Sequence, residues 1–153
     1  MPIEIETPRD ARNHIDETLP PSDWVIIDQR MINTFAEATG DDQWIHVDVE
    51  RAAHELPGAK TIAHGYLTLS LLPRLLKEIV VFTKLSRSIN YGSERVRFTS
   101  PVPVDTRLRL HATITSVEDI DDGGARIGQR CEIEQEGRDR PALVADIIRI
   151  LYP

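Results

Sequence analysis

The chain has 153 residues and a mass of 17.3 kDa, the size of one ordinary domain. Hydrophobic residues make up 41% and charged residues 28%, which excludes an intrinsically disordered composition. Eighteen Lys and Arg stand against 25 Asp and Glu, so the net charge of -7 excludes a general binder of nucleic-acid backbones. We therefore expect one globular domain over residues 1–153.

The cysteine content and the N-terminal sequence indicate the cellular compartment of the protein. The single cysteine, Cys131, excludes an internal disulfide and a cysteine-based zinc site, and it suits a reducing compartment. The N-terminal residues contain no apolar segment typical of a secretory signal. The longest apolar stretch, residues 66–72, is stopped by Pro73 and is too short to span a membrane. These features predict a soluble, cytoplasmic protein.

The first half of the chain has helical patterns with one short strand between them. A Thr-Pro pair predicts a helix from residue 7 to about residue 18. Residues 24–27 are rich in β-branched side chains and predict a strand. Asp28 can then cap a second helix that ends at Gly40, and a short helix is predicted over 48–56. The apolar positions of the second helix are Met31, Ile32, Phe35 and Ala38.

A third helix is predicted to start at Gly65 and to be buried. Its apolar residues cover most of the circumference, which is typical of a helix inside a core. They are Leu67, Leu71, Leu72, Leu75, Leu76, Ile79 and Val80. Pro73 lies within this pattern, so it should kink the helix or mark a first-turn boundary.

The second half of the chain predicts four long strands. Each carries β-branched residues in rough alternation, and turn-forming residues separate them. The predicted strands cover residues 87–99, 106–117, 125–136 and 142–151. Four strands and one buried helix predict an α+β domain in which an antiparallel sheet wraps the helix. An open sheet edge invites pairing with a second copy, so we expect a homodimer.

The densest polar cluster lies over residues 40–48, directly after the end of the second helix. Asp41 and His46 lie five residues apart on this loop. A carboxylate and an imidazole placed this way can converge on a water molecule, and histidine transfers protons near neutral pH. The alternative is structural, with Asp41 capping the next turn and His46 hydrogen-bonded inside the protein. Trp44 and Ile45 favour a loop that is partly packed into the core.

A second cluster is formed by His64 and Gly65 at the start of the buried helix. The free N–H groups of a helix start can bind a carbonyl or stabilise an oxyanion. Glycine would let a ligand approach the backbone closely. The alternative is that Gly65 is needed for close packing and that His64 is a capping or hydrogen-bonding residue.

The other polar groups are less distinctive. One local group of basic residues is either a solvated surface or a binding site for ligand phosphates. It consists of Lys84, Arg87, Arg95 and Arg97. Cys131 lies in a strand pattern and is expected to be a small core or edge residue. The sequence contains no P-loop, no Gly-x-Gly-x-x-Gly and no Gly-x-Ser-x-Gly motif, which removes nucleotide hydrolysis, Rossmann chemistry and common serine hydrolases as leading options.

Three short motifs follow one another along the chain. Residues 35–46 combine an aromatic residue, Thr-Gly-Asp and a histidine; residues 63–65 read Ala-His-Gly; and residues 90–102 contain Asn-Tyr-Gly followed by Val-Arg-Phe and Pro-Val. The first resembles the hydratase-2 signature of the MaoC-like dehydratases, and the others resemble the start of that family's central helix and the strand after it. At positions 43–44 Gln-Trp replaces the usual Asn-Pro, as in the nodulation-protein-like branch of the family.

The resemblance implies a hot-dog fold, dimerisation through sheet edges and (R)-specific hydration of trans-2-enoyl-CoA in fatty acid metabolism. It implies that Asp41 and His46 are the catalytic pair around a water, with the aspartate usually the base and the histidine the acid. The Gly65 N–H would bind the thioester carbonyl. The buried helix and neighbouring strands would house the acyl chain. Further substrate-binding residues implied in this way are His64, Gln43 and Tyr66.

Two rival functions remain open at this point. One is a hot-dog acyl-CoA thioesterase, and the other is a non-catalytic acyl-CoA-binding or partner subunit. Water addition needs two cooperating proton-transfer groups, so the pair Asp41 and His46 favours the hydratase. We expect no metal or organic cofactor, although a metal site formed by Asp41, His46 and His64 is a weaker alternative.

Overall fold

The computed structural model describes residues 1–153. In chain order its strands are β1 (Ile3–Ile5), β2 (Val25–Ile27), β3 (Val80–Phe82), β4 (Arg87–Arg97), β5 (Thr106–Asp119), β6 (Ala125–Gln135) and β7 (Leu143–Tyr152). Its helices are α1 (Gln29–Thr39), α2 (Trp44–Val47), α3 (Val49–Glu55), α4 (Gly65–Ser70) and α5 (Leu72–Leu76), and a 3-10 helix covers Pro8–His14.

The main sheet has five antiparallel strands in the order β2-β5-β6-β7-β4. The four long strands predicted from the sequence are all present in this sheet. Strands β1 and β3 form a separate parallel pair. Strand β2 is short, so the long strand β4 is the main open edge of the sheet.

The core lies between the sheet and helices α4 and α5. Alternate residues of β7 are buried, as expected for a strand with one face on the core. The helices bury Leu67, Leu72, Leu75 and Leu76 against the same core. The curled antiparallel sheet around a central helical segment confirms the predicted α+β class and is the hot-dog architecture that the resemblance implies.

The central helix is interrupted at Leu71, so α4 and α5 replace the single helix of the simplest prediction. Pro73 lies in the first turn of α5. The N–H groups of a first turn have no acceptor within the helix, so a residue without an N–H is tolerated there. Val80, the last residue of the predicted helical pattern, instead begins β3 and pairs with Ile3. This placement suits a β-branched side chain.

Two smaller expectations need correction. The N-terminal helix is a 3-10 helix that ends at His14, four residues before the predicted end. In α1 the apolar position Ala38 is exposed, and Ala36 is buried instead. Cys131 is fully buried on β6, as expected, and burial raises the pKa of its thiol to about 12. No helix is long and apolar enough to cross a membrane.

Candidate active site

The ends of α1 place the loop that carries the predicted site. Asp28 caps the start of the helix, and its carboxylate accepts a hydrogen bond of 2.8 Å from the Met31 N–H. Gly40 ends the helix with a φ of 77°, a left-handed conformation that glycine adopts without steric cost. The chain therefore turns at once into Asp41, at the mouth of the site.

His46 lies on α2 and is 7% exposed. Its Nδ1 lies 2.7 Å from the carbonyl oxygen of Ile62. A carbonyl can only accept, so Nδ1 must carry a proton and donate it. In the neutral ring Nε2 is then the unprotonated nitrogen, with a lone pair that can accept a proton.

The ring of His64 stacks against the ring of His46. The two rings stack with centroids 3.8 Å apart and planes at 26°, and Phe35 packs on His64 at 4.8 Å. His64 Nε2 donates a hydrogen bond of 2.8 Å to the backbone carbonyl of Asp41. His64 thus ties the Asp41 loop to the start of α4. Its Nδ1 is buried and has no hydrogen-bond partner in the chain.

The three polar side chains converge. One ligand atom each from Asp41, His46 and His64 lies within 4.8 Å of the others. An atom at the centre of such a triangle is within about 2.8 Å of every corner, which is hydrogen-bond distance for a water. A carboxylate and two imidazole nitrogens are also a set that can bind a cation.

The surroundings of His46 favour its neutral form. The pKa of His46 is lowered, first because burial disfavours the imidazolium and further because His64 lies alongside it. The hydrogen bond to Ile62 and the charge of Asp41 oppose this shift. This environment therefore favours the neutral ring, whose lone pair is on Nε2.

A cavity of about 310 Å³ adjoins His46. It is lined by His46, Ile62, Ala63, Gly65, Thr68, Phe98, Thr99, Ser100, Pro101, Val102 and Ala142. The Gly65 N–H is the first backbone donor of α4, and no acceptor in the chain bonds it. A Cβ on Gly65 would lie 2.7–2.9 Å from three atoms of the Phe98 ring. The site therefore combines a proton acceptor, a carboxylate, a free N–H and room for a ligand.

Comparison with known proteins identifies the family. The MaoC-like domain family matches residues 10–134. The chain belongs to the MaoC-like dehydratase family. It is 47% identical over 132 residues to 3-hydroxyacyl-thioester dehydratase Z of Mycobacterium tuberculosis H37Rv, covering 86% of this chain and 87% of that protein.

A further relative and a solved structure are similar to the chain. The chain is 38% identical over 143 residues to nodulation protein N of Rhizobium leguminosarum bv. viciae, covering 93% of this chain and 89% of that protein. The solved structure of the (R)-hydratase from A. caviae involved in PHA biosynthesis superposes with a TM-score of 0.69 at 22% identity, covering 90% of this chain and 97% of that chain. The predicted resemblance to the MaoC-like family and to its nodulation-protein-like branch is confirmed.

Two of the residues that the MaoC-like resemblance places at the substrate are exposed and do not line the cavity. The Gln43 side chain is exposed, and its backbone carbonyl accepts the first hydrogen bond of α2 from the His46 N–H at 3.0 Å. Tyr66 is 65% exposed and meets the Phe98 ring edge-on at 5.6 Å.

The four predicted basic residues contact different partners. Lys84 forms an ion pair with Glu6, and the Arg87 guanidinium lies 4.1 Å from the centroid of the Tyr152 ring. Arg95 forms an ion pair of 2.8 Å with Asp146. Arg97 donates a hydrogen bond of 2.8 Å to the backbone carbonyl of the neighbouring Val96. All four side chains are exposed, and each has its own local contact.

Sequence reasoning included Ile62 and Phe98 in its motifs but missed the roles of both residues. The Ile62 carbonyl fixes the tautomer of His46, and the Phe98 ring occupies the space above Gly65. A backbone acceptor has no side-chain signal, so Ile62 could not be found from its residue type. Phe98 was visible in the Val-Arg-Phe segment, but only the fold shows that this segment returns to Gly65.

Proposed function

We propose that the protein is an (R)-specific hydratase of trans-2-enoyl-CoA thioesters, which also catalyses the reverse dehydration. The observation that carries the proposal is the convergence of Asp41, His46 and His64 within 4.8 Å beside the unbonded Gly65 N–H. Water addition to an enoyl thioester needs a held water, cooperating groups that move a proton from that water and deliver one to C2, and a donor for the thioester oxygen. The names of the relatives support this class of reaction.

The proposed reaction runs through His46 Nε2. In the hydration direction this nitrogen takes a proton from the water, whose oxygen bonds to C3 of the substrate. The electron pair of the C2–C3 double bond moves toward the thioester, whose oxygen accepts a hydrogen bond from the Gly65 N–H. The proton on Nε2 then goes to C2, which completes the addition of one water.

Asp41 has a supporting role in this proposal. Its carboxylate holds the water and stabilises the imidazolium that forms on His46, consistent with its effect on the pKa of that ring. This reverses the usual family assignment, which makes the aspartate the base and the histidine the acid. The lowered pKa of His46 and the proton fixed on its Nδ1 support the reversal.

The assignment of His46 as base predicts the acid limb of the pH profile. Protonation of Nε2 removes the base, so kcat/KM is expected to fall as the pH drops through a midpoint below the usual pKa of a histidine side chain. NMR titration of the His46 ring should give the same midpoint. Asp41→Asn should move that midpoint lower, whereas Asp42→Asn should not. A rate that falls as the pH rises through the His46 midpoint would make His46 the acid.

The stereochemistry of the proposed reaction is tested in the reverse direction. We expect (R)-3-hydroxybutyryl-CoA to gain enoyl-thioester absorbance with the protein, while the (S) enantiomer does not. A chelator should leave this rate unchanged, since the proposal uses no metal. Equal rates with both enantiomers would contradict the (R) assignment, and loss of activity on chelation would favour a metal at Asp41, His46 and His64.

The proposed enzyme is a homodimer that pairs at the edge of the sheet. Every residue of β4 except Val96 is exposed, including Ile89 at 46% and Tyr91 at 56%. A long exposed edge strand with apolar side chains is typical of a surface that a second chain covers. The proposal also places the protein in the cytoplasm. A solution mass of one chain would contradict the dimer.

A further inference from the structure

A second cavity lies between the central helices and the sheet, apart from the one at His46. Its volume is about 350 Å³. It is lined by Leu69, Ser70, Leu72, Pro73, Asn90, Gly92, Ser93, Ile147, Ile148 and Arg149. The walls come from α4, α5, β4 and β7, and most are apolar or small. Arg149 is the only charged residue among them.

Arg149 faces the core although its neighbours on that face of β7 are apolar. The buried residues of the strand are Leu143, Ala145, Ile147, Arg149 and Leu151. Arg149 is 9% exposed, and its Nε donates a hydrogen bond of 2.9 Å to Oε1 of Gln129, which is 1% exposed. Gln129 thus orients the guanidinium from the neighbouring strand β6.

The terminal nitrogens of Arg149 have no partner in the chain. No carboxylate forms an ion pair with the guanidinium, and its only side-chain hydrogen bond is the one to Gln129. The nearest acid on β7, Asp146, lies on the opposite face of the strand and pairs with Arg95 and Arg130. Burying a guanidinium without a counter-charge costs free energy that an apolar residue would not. Burial accordingly lowers the pKa of Arg149.

The cavity borders α4, the helix that begins at Gly65 in the proposed active site. Gly65 is the first residue of α4, and Leu69 follows it by one helical turn, about 6 Å along the axis at roughly 1.5 Å per residue. Leu69 and Leu72 belong to the cavity wall, as does Ile147 across from them on β7. An acyl chain that followed α4 from the Gly65 N–H would reach the wall of this cavity at Leu69.

We propose that Arg149 binds a carboxylate at the far end of the acyl chain, so that the preferred substrates are enoyl thioesters with a terminal carboxylate. This inference rests on the proposed function for the position of the thioester. A guanidinium presents two parallel N–H groups to a carboxylate, and the apolar walls strengthen that contact by excluding water. Asn90, which pairs with Arg149 across the sheet, and Ser93 supply further polar atoms at the same cavity.

The test compares substrates of equal length that end in a methyl group or in a carboxylate, over a series of chain lengths. At the best length we expect wild-type kcat/KM to favour the carboxylate at least about tenfold. Arg149→Met should abolish this preference, and Arg149→Lys should keep part of it. Arg130→Met, which removes a charge from the exposed face of the same sheet, should keep all of it. No preference in the wild type, or its survival in Arg149→Met, would overturn the proposal.

A binding experiment separates this proposal from the proposed reaction. Saturated thioesters with the same two chain ends cannot be hydrated, and calorimetry gives their Kd ratio with each variant. If the carboxylate preference depends on Arg149 here but no enoyl thioester is turned over, the hydratase proposal fails and the Arg149 proposal stands. If Arg149→Met changes only the solution mass and leaves the ratio unaltered, Arg149 is an interface residue and the proposal is wrong.

Discussion

Replacing His46 with glutamine is expected to lower the rate of enoyl-CoA hydration by about 10²–10⁴-fold. Glutamine can still donate a hydrogen bond toward the Ile62 carbonyl, but it has no nitrogen that takes a proton at neutral pH. The loss should therefore appear in kcat and kcat/KM together, because the step removed belongs to the transition state. Initial rates with crotonyl-CoA measure it.

Asp41→Asn is expected to cause a comparable loss. The variant removes the carboxylate but keeps the backbone carbonyl that accepts the hydrogen bond from His64, so the loop should remain in place. Asp42→Asn and His54→Gln are matched controls, since both side chains are exposed nearby and neither belongs to the proposed site. Wild-type turnover in a folded variant of His46 or Asp41 would remove that residue from the mechanism.

Gly65→Ala is expected to lower kcat/KM by about 10²-fold, the effect of losing one oxyanion donor. The new methyl group would lie 2.7–2.9 Å from the Phe98 ring, so the ring must move. If the ring enters the cavity, it hinders the thioester from reaching the Gly65 N–H; if the start of α4 shifts instead, the N–H itself is displaced from the thioester oxygen. Measured kcat/KM with crotonyl-CoA, with melting temperature as a check on folding, tests this expectation.

A double-mutant cycle distinguishes this steric effect from general damage. Phe98→Ala removes the clashing ring, so the double variant should recover part of the activity that Gly65→Ala alone loses. Gly58→Ala is the matched control, because a Cβ there meets no atom within 4 Å and its φ is not positive. Additive losses in the double variant would contradict the role of Phe98.

Local signals in the sequence account for the placement of the loop that carries Asp41 and His46. A capping aspartate and a terminal glycine set the ends of α1, and the spacing to His46 follows from them. The four long strands were likewise visible in the alternation of β-branched residues. Where local and tertiary preferences disagreed, as at Val80, the pairing with β1 decided the outcome.

Contacts between distant residues could not be predicted. His46 meets Ile62 across 16 residues, and His64 meets the Asp41 carbonyl across 23. Such contacts depend on how distant segments of the chain pack together, and no periodic pattern in the sequence indicates them. Arg149 is detectable in the sequence, because it occupies an inward position in a strand of alternating pattern. Only the fold shows that no carboxylate faces it.

The most direct test of the proposed activity is the fate of crotonyl-CoA mixed with the pure protein. We expect enoyl-thioester absorbance to fall without release of free thiol, and the His46→Gln variant to show almost no change over the same time. Release of free thiol would make the protein a thioesterase. Silence in both assays, repeated with longer chains and with carboxylate-ended chains, would contradict the hydratase proposal and favour a subunit that binds acyl thioesters without catalysis.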